Sequence, residues 1–260
     1  MILVIDIGNT NIVMGVWQGS TLAAHWRLVT EPHRTVDEYG ILVRGLFDSR
    51  GIPAGAVAGI IVSSVVPALL PVLEALCRTV FSRTPVCVRP GMDTGITVCY
   101  DNPLELGSDR LVNAVAAFET YRRGVIVIDF GTATTFDYVS PEAEYRGGTI
   151  APGLATAAEA LFQKAAQLPR VDFVSPGTVV ARNTRASMQA GIVSGYVCLV
   201  EGIVRRMKDE VSDEPCVVAT GGLAPVVASQ TGVIDDVDEQ LTLRGLKILY
   251  DRCGAKKKGT

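Results

Sequence analysis

Two acids stand in nearly the same local setting. Asp6 lies in VIDIGNTN at residues 4–11, and Asp129 lies in VIDFGTATTFD at 127–137. Each ends an apolar run, with a glycine two positions later and a threonine one or two positions beyond that. Glycine reaches backbone torsions that other residues avoid and lets the chain approach a ligand closely. Main-chain N–H groups at such a corner can converge on an oxyanion, and Asn and Thr add neutral donors. A carboxylate next to a phosphate is repelled unless a cation, or its bound water, stands between them. An acid beside an anion nest therefore reads as metal–phosphate chemistry. The competing reading is a tight hairpin in which Asp and Asn brace their own turn. The second copy, with a further glycine turn at Thr220–Gly222, favours the ligand.

Other nucleotide and hydrolase signatures are missing. The sequence has no GxxxxGK[ST] and no GxGxxG after a strand. Its only histidines are His25 and His33, neither in a setting that suits a Ser-His-Asp or Cys-His site. The formal net charge of −3 leaves no basic excess for holding nucleic acid by bulk attraction. Six cysteines without a C-x-x-C pair read as buried thiols in a reducing cytoplasm, not as a disulfide framework or zinc cluster. The N-terminal apolar run has no basic residues before it and does not read as a secretory signal. An uncharged stretch from Gly51 to Leu73 is long enough to span a bilayer, but Pro53, Pro67 and Pro71 interrupt it. A buried strand in GIIVSSVV followed by a helix from Pro71 is the better reading, with no membrane segment.

The elements that must position these residues repeat as well. ILVIDIGNTNIVMGVW and GVIVIDFGTATTFDYV each predict strand, turn and strand, and the two acids lie about half the chain apart, which suggests tandem related α/β units. TVDEYGILVRGLFDSRG predicts an amphipathic helix ending near Gly51, and TPVCVRP a strand. GSDRLVNAVAAFETYRRG predicts a helix with Ser108 as N-cap. Asp109 then falls in a first helical turn, where an acid suits the helix dipole, and Arg110 reads as a solvated helix arginine. In the second half, YRGGTIAPG reads as a glycine-punctuated turn and TAAEALFQKAAQL as a helix. RASMQAGIVSGYVCLVEGIVRRMKDEV reads as a long helix, with Gly191 and Gly195 on one face allowing another backbone close. PCVVATGGLAP reads as a strand breaking into a turn, and LTLRGLKILYDRCG as a final helix.

VIDIGNTN, GSDR, DFGTATTFD, GGTIAPG and ATGG, in this order, resemble type III pantothenate kinase, of the acetate and sugar kinase, heat-shock chaperone and actin superfamily. The resemblance implies an α/β fold of two tandem ribonuclease H-like domains, each a mixed sheet flanked by helices, with a nucleotide cleft between them. It divides the chain into 1–118 and 119–254, leaving 255–260 as a basic, disordered tail. It implies ATP-dependent phosphorylation of pantothenate at its primary hydroxyl, the first step toward coenzyme A. The alternatives are a non-catalytic nucleotide-binding regulator or another small-molecule kinase of the superfamily.

By this resemblance Asp6, Ile7, Gly8, Asn9, Thr10, Asn11, Ile12 and Val13 form the first phosphate turn, with Mg²⁺ on Asp6 through water. Thr132 takes the other side of the phosphates, and Gly221 and Gly222 lie near adenosine. Asp129 resembles the acid that binds a monovalent cation, K⁺ or NH4⁺. Asp109 resembles the catalytic base, and Arg110 suits the pantothenate carboxylate, which a guanidinium can clamp bidentately. Gly107 and Ser108 present backbone to the substrate, Pro152 and Gly153 shape the turn facing it, and Tyr100 contacts it. Thr184, which without the family reads as a helix cap, contacts pantothenate across a dimer interface. The resemblance thus implies a cytoplasmic homodimer without nucleic-acid or membrane partners.

Overall fold

The computed structural model describes residues 1–165 and 167–257. In chain order the elements are β1 (Ile2–Ile7), β2 (Asn11–Gln18), β3 (Thr21–Val29), α1 (Val36–Ser49), β4 (Gly59–Ser64), α2 (Leu70–Phe81), β5 (Val86–Cys87) and β6 (Thr97–Val98). They continue with α3 (Ser108–Tyr121), β7 (Val125–Phe130), β8 (Ala133–Val139), β9 (Glu144–Pro152), α4 (Leu154–Lys164) and α5 (Thr184–Gln189). A π-helical turn (Ala190–Ser194) leads into α6 (Gly195–Glu210), followed by β10 (Cys216–Thr220), α7 (Ala224–Ala228), β11 (Asp236–Val237) and α8 (Leu241–Lys257).

Two compact units result. The first comprises residues 1–96, 101–116 and 241–260, and the second 97–100 and 117–240. This division departs from the expected one at 118/119, because α8 packs on β1, β4 and β2 of the first unit. The basic tail expected from residue 255 begins inside α8, which runs to Lys257. Residues 258–260 lie outside the described residues.

The first unit is a five-stranded mixed sheet in the order β3-β2-β1-β4-β5. β1 is its centre, antiparallel to β2 and parallel to β4. Side chains alternate across a strand, and both faces of β1 are covered. Leu3, Ile5 and Ile7 pack with Tyr39 and Phe47 of α1 and Leu73 and Leu76 of α2. Val4 packs on the other side with Val112 and Val115 of α3 and Leu243, Leu246 and Leu249 of α8. A strand buried on both faces must be apolar almost throughout, which is why Asp6 stands out. α1 opens on a capping box in which Thr35 and Glu38 satisfy each other's main-chain N–H groups.

The second unit holds a six-stranded sheet in the order β11-β10-β7-β8-β9-β6. Read from the other end, β9-β8-β7-β10-β11 repeats β3-β2-β1-β4-β5 strand for strand, with β6 added at the edge. In each unit the acid-bearing strand is central, antiparallel to its hairpin partner and parallel to the next. This shared topology carries the duplication that one repeated motif only suggested. Ile126, Ile128 and Phe130 of β7 meet Val197, Val200 and Val204 of α6 in the core.

YRGGTIAPG, expected as a turn, forms most of β9. Its glycines serve a bulge: the register shifts between Tyr138 and Val139, and Gly147 sits at φ +120. A Cβ on Gly148 would lie 1.8 Å from Phe136 O. The stretch from Gly51 to Leu73 divides into a 3₁₀ turn, β4 and the start of α2, with no continuous helix. The one helix among the described residues long and apolar enough to cross a membrane is Thr184–Glu210, and 39% of its most apolar window is buried in the protein.

Candidate active site

In the first unit β1 and β4 run parallel, and Asp6 pairs in register with Ser63 near their C-terminal ends. Ligand sites of α/β sheets gather at such ends. The chain then turns through Gly8, Asn9 and Thr10. Gly8 N–H donates to Asn11 O at 3.0 Å, and the Thr30 hydroxyl donates to Gly8 O at 2.6 Å. Thr30 N–H closes on Thr10 O at 2.9 Å, so the corner is clamped from β3. A Cβ on Gly8 would come within 3.1 Å of Asn11 O. Asn9 and Thr10 are exposed, and Asn11 is half-buried. Ile7 and Ile12 are wholly buried in the core, so only their main chain is available to a ligand.

The start of α3 is fastened to the same strand ends. The Ser63 hydroxyl donates to Ser108 Oγ at 2.9 Å. Ser64 N–H donates to Ser108 Oγ at 3.2 Å, and Ser108 Oγ donates to Ser64 O at 3.0 Å. Ser108 therefore docks its helix on β4 instead of capping it. The first helical bond goes from Leu111 N–H to Gly107 O at 3.1 Å, which makes Gly107 the capping residue. Asp109 Oδ1 accepts from Arg110 N–H at 2.8 Å, holding the carboxylate at a helix N-terminus where negative charge is favoured. The carboxylate lies back over Gly107, where an added Cβ would sit 2.5 Å from Asp109 Oδ1. Arg110 is only 7% exposed, not solvated as its sequence position suggests. Register and hydrogen bonds thus gather Asp6, Ser108, Asp109 and Arg110 at one end of one sheet. Ser63 and Ser64 are the links that sequence reading passed over; the signal was two hydroxyls in the apolar run IIVSSVV.

In the second unit Asp129 pairs with Thr220 on β10 and with Thr135 on β8. Its corner is one residue shorter than the first: Gly131 N–H donates to Ala133 O at 3.1 Å. Gly153 N–H and the Thr156 hydroxyl both donate to Thr132 O, at 3.1 and 2.6 Å, while Thr132 itself is exposed. Gly221, at φ +93, presses against the acid: a Cβ there would meet Phe130 O at 2.6 Å and Asp129 Oδ1 at 2.8 Å. Gly222 beside it is exposed. Carboxylate and carbonyl oxygens thus crowd a cradle that a side chain would fill, a donor set suited to a hard cation. Among the described residues no three His, Cys, Asp or Glu side chains gather as a metal site.

Three further features belong to this unit. Tyr100 is half-buried and packs on Tyr145, ring centroids 5.8 Å apart, with Gly147 beneath its edge. The Tyr196 hydroxyl donates to Pro152 O at 2.8 Å and lies 2.6 Å from Thr134 Oγ1. Burial raises the Tyr196 pKa against a smaller lowering by Thr134, which keeps the proton on this donor. Thr184 does not cap its helix; Asn183 does, accepting from Ala186 N–H at 2.9 Å. Thr184 lies instead on the wall of an apolar groove of about 610 Å³ between α4 and the Thr184–Glu210 helix, with Leu154, Leu161, Met188 and Leu199. Gly191 and Gly195 open onto this groove, and among the described residues nothing lies within 4 Å of a Cβ added at either.

The family model of type III pantothenate kinase matches residues 2–206. The type III pantothenate kinase of Geobacter sulfurreducens is 55% identical over 252 residues, covering 97% of this chain and 99% of that one. Among solved structures, a Baf family protein from Campylobacter jejuni superposes with a TM-score of 0.63 at 19% identity, covering 97% and 99% of the two chains. MreB 5 of Spiroplasma citri bound to AMPPNP superposes at 0.57 and 8% identity over 99% and 98%. The folds of both agree with two mixed sheets flanked by helices, and the sequence match extends far beyond fold: the chain belongs to the type III pantothenate kinase family.

Proposed function

We propose that the protein transfers the γ-phosphoryl group of ATP to the primary hydroxyl of pantothenate, giving 4′-phosphopantothenate and ADP. The observation that carries this reading is Asp109 held beside a buried Arg110 at the start of α3, in a chain of this family. Asp109 takes the proton of the attacking hydroxyl as its oxygen bonds to the γ-phosphorus. The bond from that phosphorus to the β,γ-bridging oxygen breaks, and its electron pair leaves with ADP. Phosphoryl transfer needs mostly positioning and charge neutralisation, so Asp109 orients the alcohol as well as accepting its proton. Arg110 binds the pantothenate carboxylate, Gly107 and Ser108 offer main chain to it, and Tyr100 forms a wall of its pocket.

The main chain of residues 6–13 and the side chains of Asn9, Thr10 and Asn11 bind phosphates. Thr132 binds them from its own corner, and Gly221 and Gly222 leave room for adenosine. Asp6 would hold Mg²⁺ through water, and Asp129 would hold K⁺ or NH4⁺; the carboxylate and carbonyl oxygens crowded beside Gly221 fit the second ion. Bound there, the cations neutralise phosphate charge. The Thr184–Glu210 helix joins two copies through the apolar groove, and Thr184 reaches the partner's substrate. The enzyme works in the cytoplasm.

The direct test incubates the protein with ATP, Mg²⁺ and pantothenate, with and without K⁺. Phosphopantothenate that forms only with the monovalent ion is expected; no product under either condition overturns the reading. Leu199→Glu, which puts a charge in the groove, is expected to give a monomer by sedimentation and to abolish activity.

A further inference from the structure

Asp137 closes the DFGTATTFD motif but takes no part in the chemistry above. It is 1% exposed. Burying a carboxylate is unfavourable unless hydrogen bonds replace its water, and this one is hydrogen-bonded at both oxygens. The Tyr145 hydroxyl donates to Asp137 Oδ1 at 2.6 Å, and the Thr135 hydroxyl donates to Asp137 Oδ2 at 3.0 Å. A strand position inside a sheet is filled more simply by valine, so the acid calls for another reason.

Tyr145 supplies one. It is wholly buried, and its ring is the surface on which Tyr100 rests, at 5.8 Å and 58°. Its carbonyl accepts from Cys99 N–H at 2.9 Å, so the main chain just before Tyr100 is held by the same residue. Gly147, in the left-handed region at φ +120, lies 3.8 Å from the edge of the Tyr100 ring at its would-be Cβ. A phenol can slide and rotate in its plane when only stacked; a hydrogen bond to a fixed carboxylate removes that freedom.

We propose that Asp137, acting through Tyr145, is a positioning residue for Tyr100 and thereby sets the affinity for the phosphoryl acceptor. The inference rests on the reading of Tyr100 as a wall of the pantothenate pocket. Tyr145→Phe keeps the ring and removes one oxygen. Loss of one such hydrogen bond is expected to raise KM for pantothenate about tenfold. The kcat and the KM for ATP should stay within about twofold, since nothing at the phosphates changes. Asp137→Asn should act in the same direction. In a Tyr100→Ala background, Tyr145→Phe should shift KM for pantothenate by less than about twofold, because coupled residues are not additive.

An unchanged KM in the single variant overturns the proposal, as does the same KM shift in both backgrounds. So does a Tyr145→Phe protein that unfolds or loses all kinetic constants together, which marks the hydroxyl as structural. If Asp137→Asn fails to fold, Tyr145→Phe decides alone. An unsubstituted protein that does not phosphorylate pantothenate removes the kinase reading and this inference with it. An active protein with silent variants removes this inference alone.

Discussion

Asp109 is placed by the residues that flank it at the start of α3, Gly107 and Arg110. On the proposed reading Asp109→Asn keeps the shape and removes the proposed proton acceptor, and kcat should fall on the order of 10²–10⁴-fold, measured at saturating ATP and pantothenate. Gly107→Ala tests the placement of that carboxylate. The new methyl would come 2.5 Å from Asp109 Oδ1, and the flexible carboxylate, not the backbone, must move. The expected result is a fall in kcat of about 10- to 100-fold with little change in melting temperature, since small misplacements of reacting groups are severe. Gly221→Ala differs, because φ +93 and Phe130 O at 2.6 Å oppose any side chain. It should lower stability by about 1–3 kcal/mol in urea unfolding. At this scale Asp6 and Asp129 were legible because they end apolar runs, whereas the role of Asp109 came only from the family resemblance. The burial of Arg110 and the bracing by Ser63 and Ser64 were not, since both depend on where α3 meets β4.

Among the elements, the long periodic ones were legible and those made by pairing were not. β1, β7, α1 and α8 carry their pattern in their own residues. β9 was hidden because its two glycines announce a turn, while the ladder to β8 and the bulge at Gly147 keep the chain extended. β6 and β11 are two residues each and exist only because a neighbour supplies hydrogen bonds. The partner of α8 was illegible for the same kind of reason: its apolar face fits either sheet until the packing is known. That packing is close. A Cβ on Gly245 would meet Val112 O at 2.2 Å, so α8 and α3 touch main chain to side-chain position. Leu246, wholly buried against the first sheet, gives the test. Leu246→Ala should destabilise the protein by about 2–5 kcal/mol in urea titration.

For the molecule as a whole, buried acids of the thiol and phenol kind set the alkaline limit. Burial pushes the Cys77 thiol from its ordinary 9.0 up to about 12. Burial and then their aspartate partners raise Tyr121 and Tyr138 as well. A group whose pKa is raised by folding stabilises the fold below its unfolded pKa, and that contribution is lost as pH rises through the folded value. Urea midpoints should therefore fall as pH climbs from about 9 toward 12, and Cys77→Val should flatten the first part of that fall. The return of α8 to the first sheet has a consequence for how the protein is made. On the ribosome, the half that emerges earliest lacks the strip of leucines that seals one side of its sheet until the last helix is translated. The later half, whose strands and covering helices are all synthesised by residue 240, closes before it. Birth order and completion order are reversed, and the nascent first half waits with an open apolar face that a chaperone can guard.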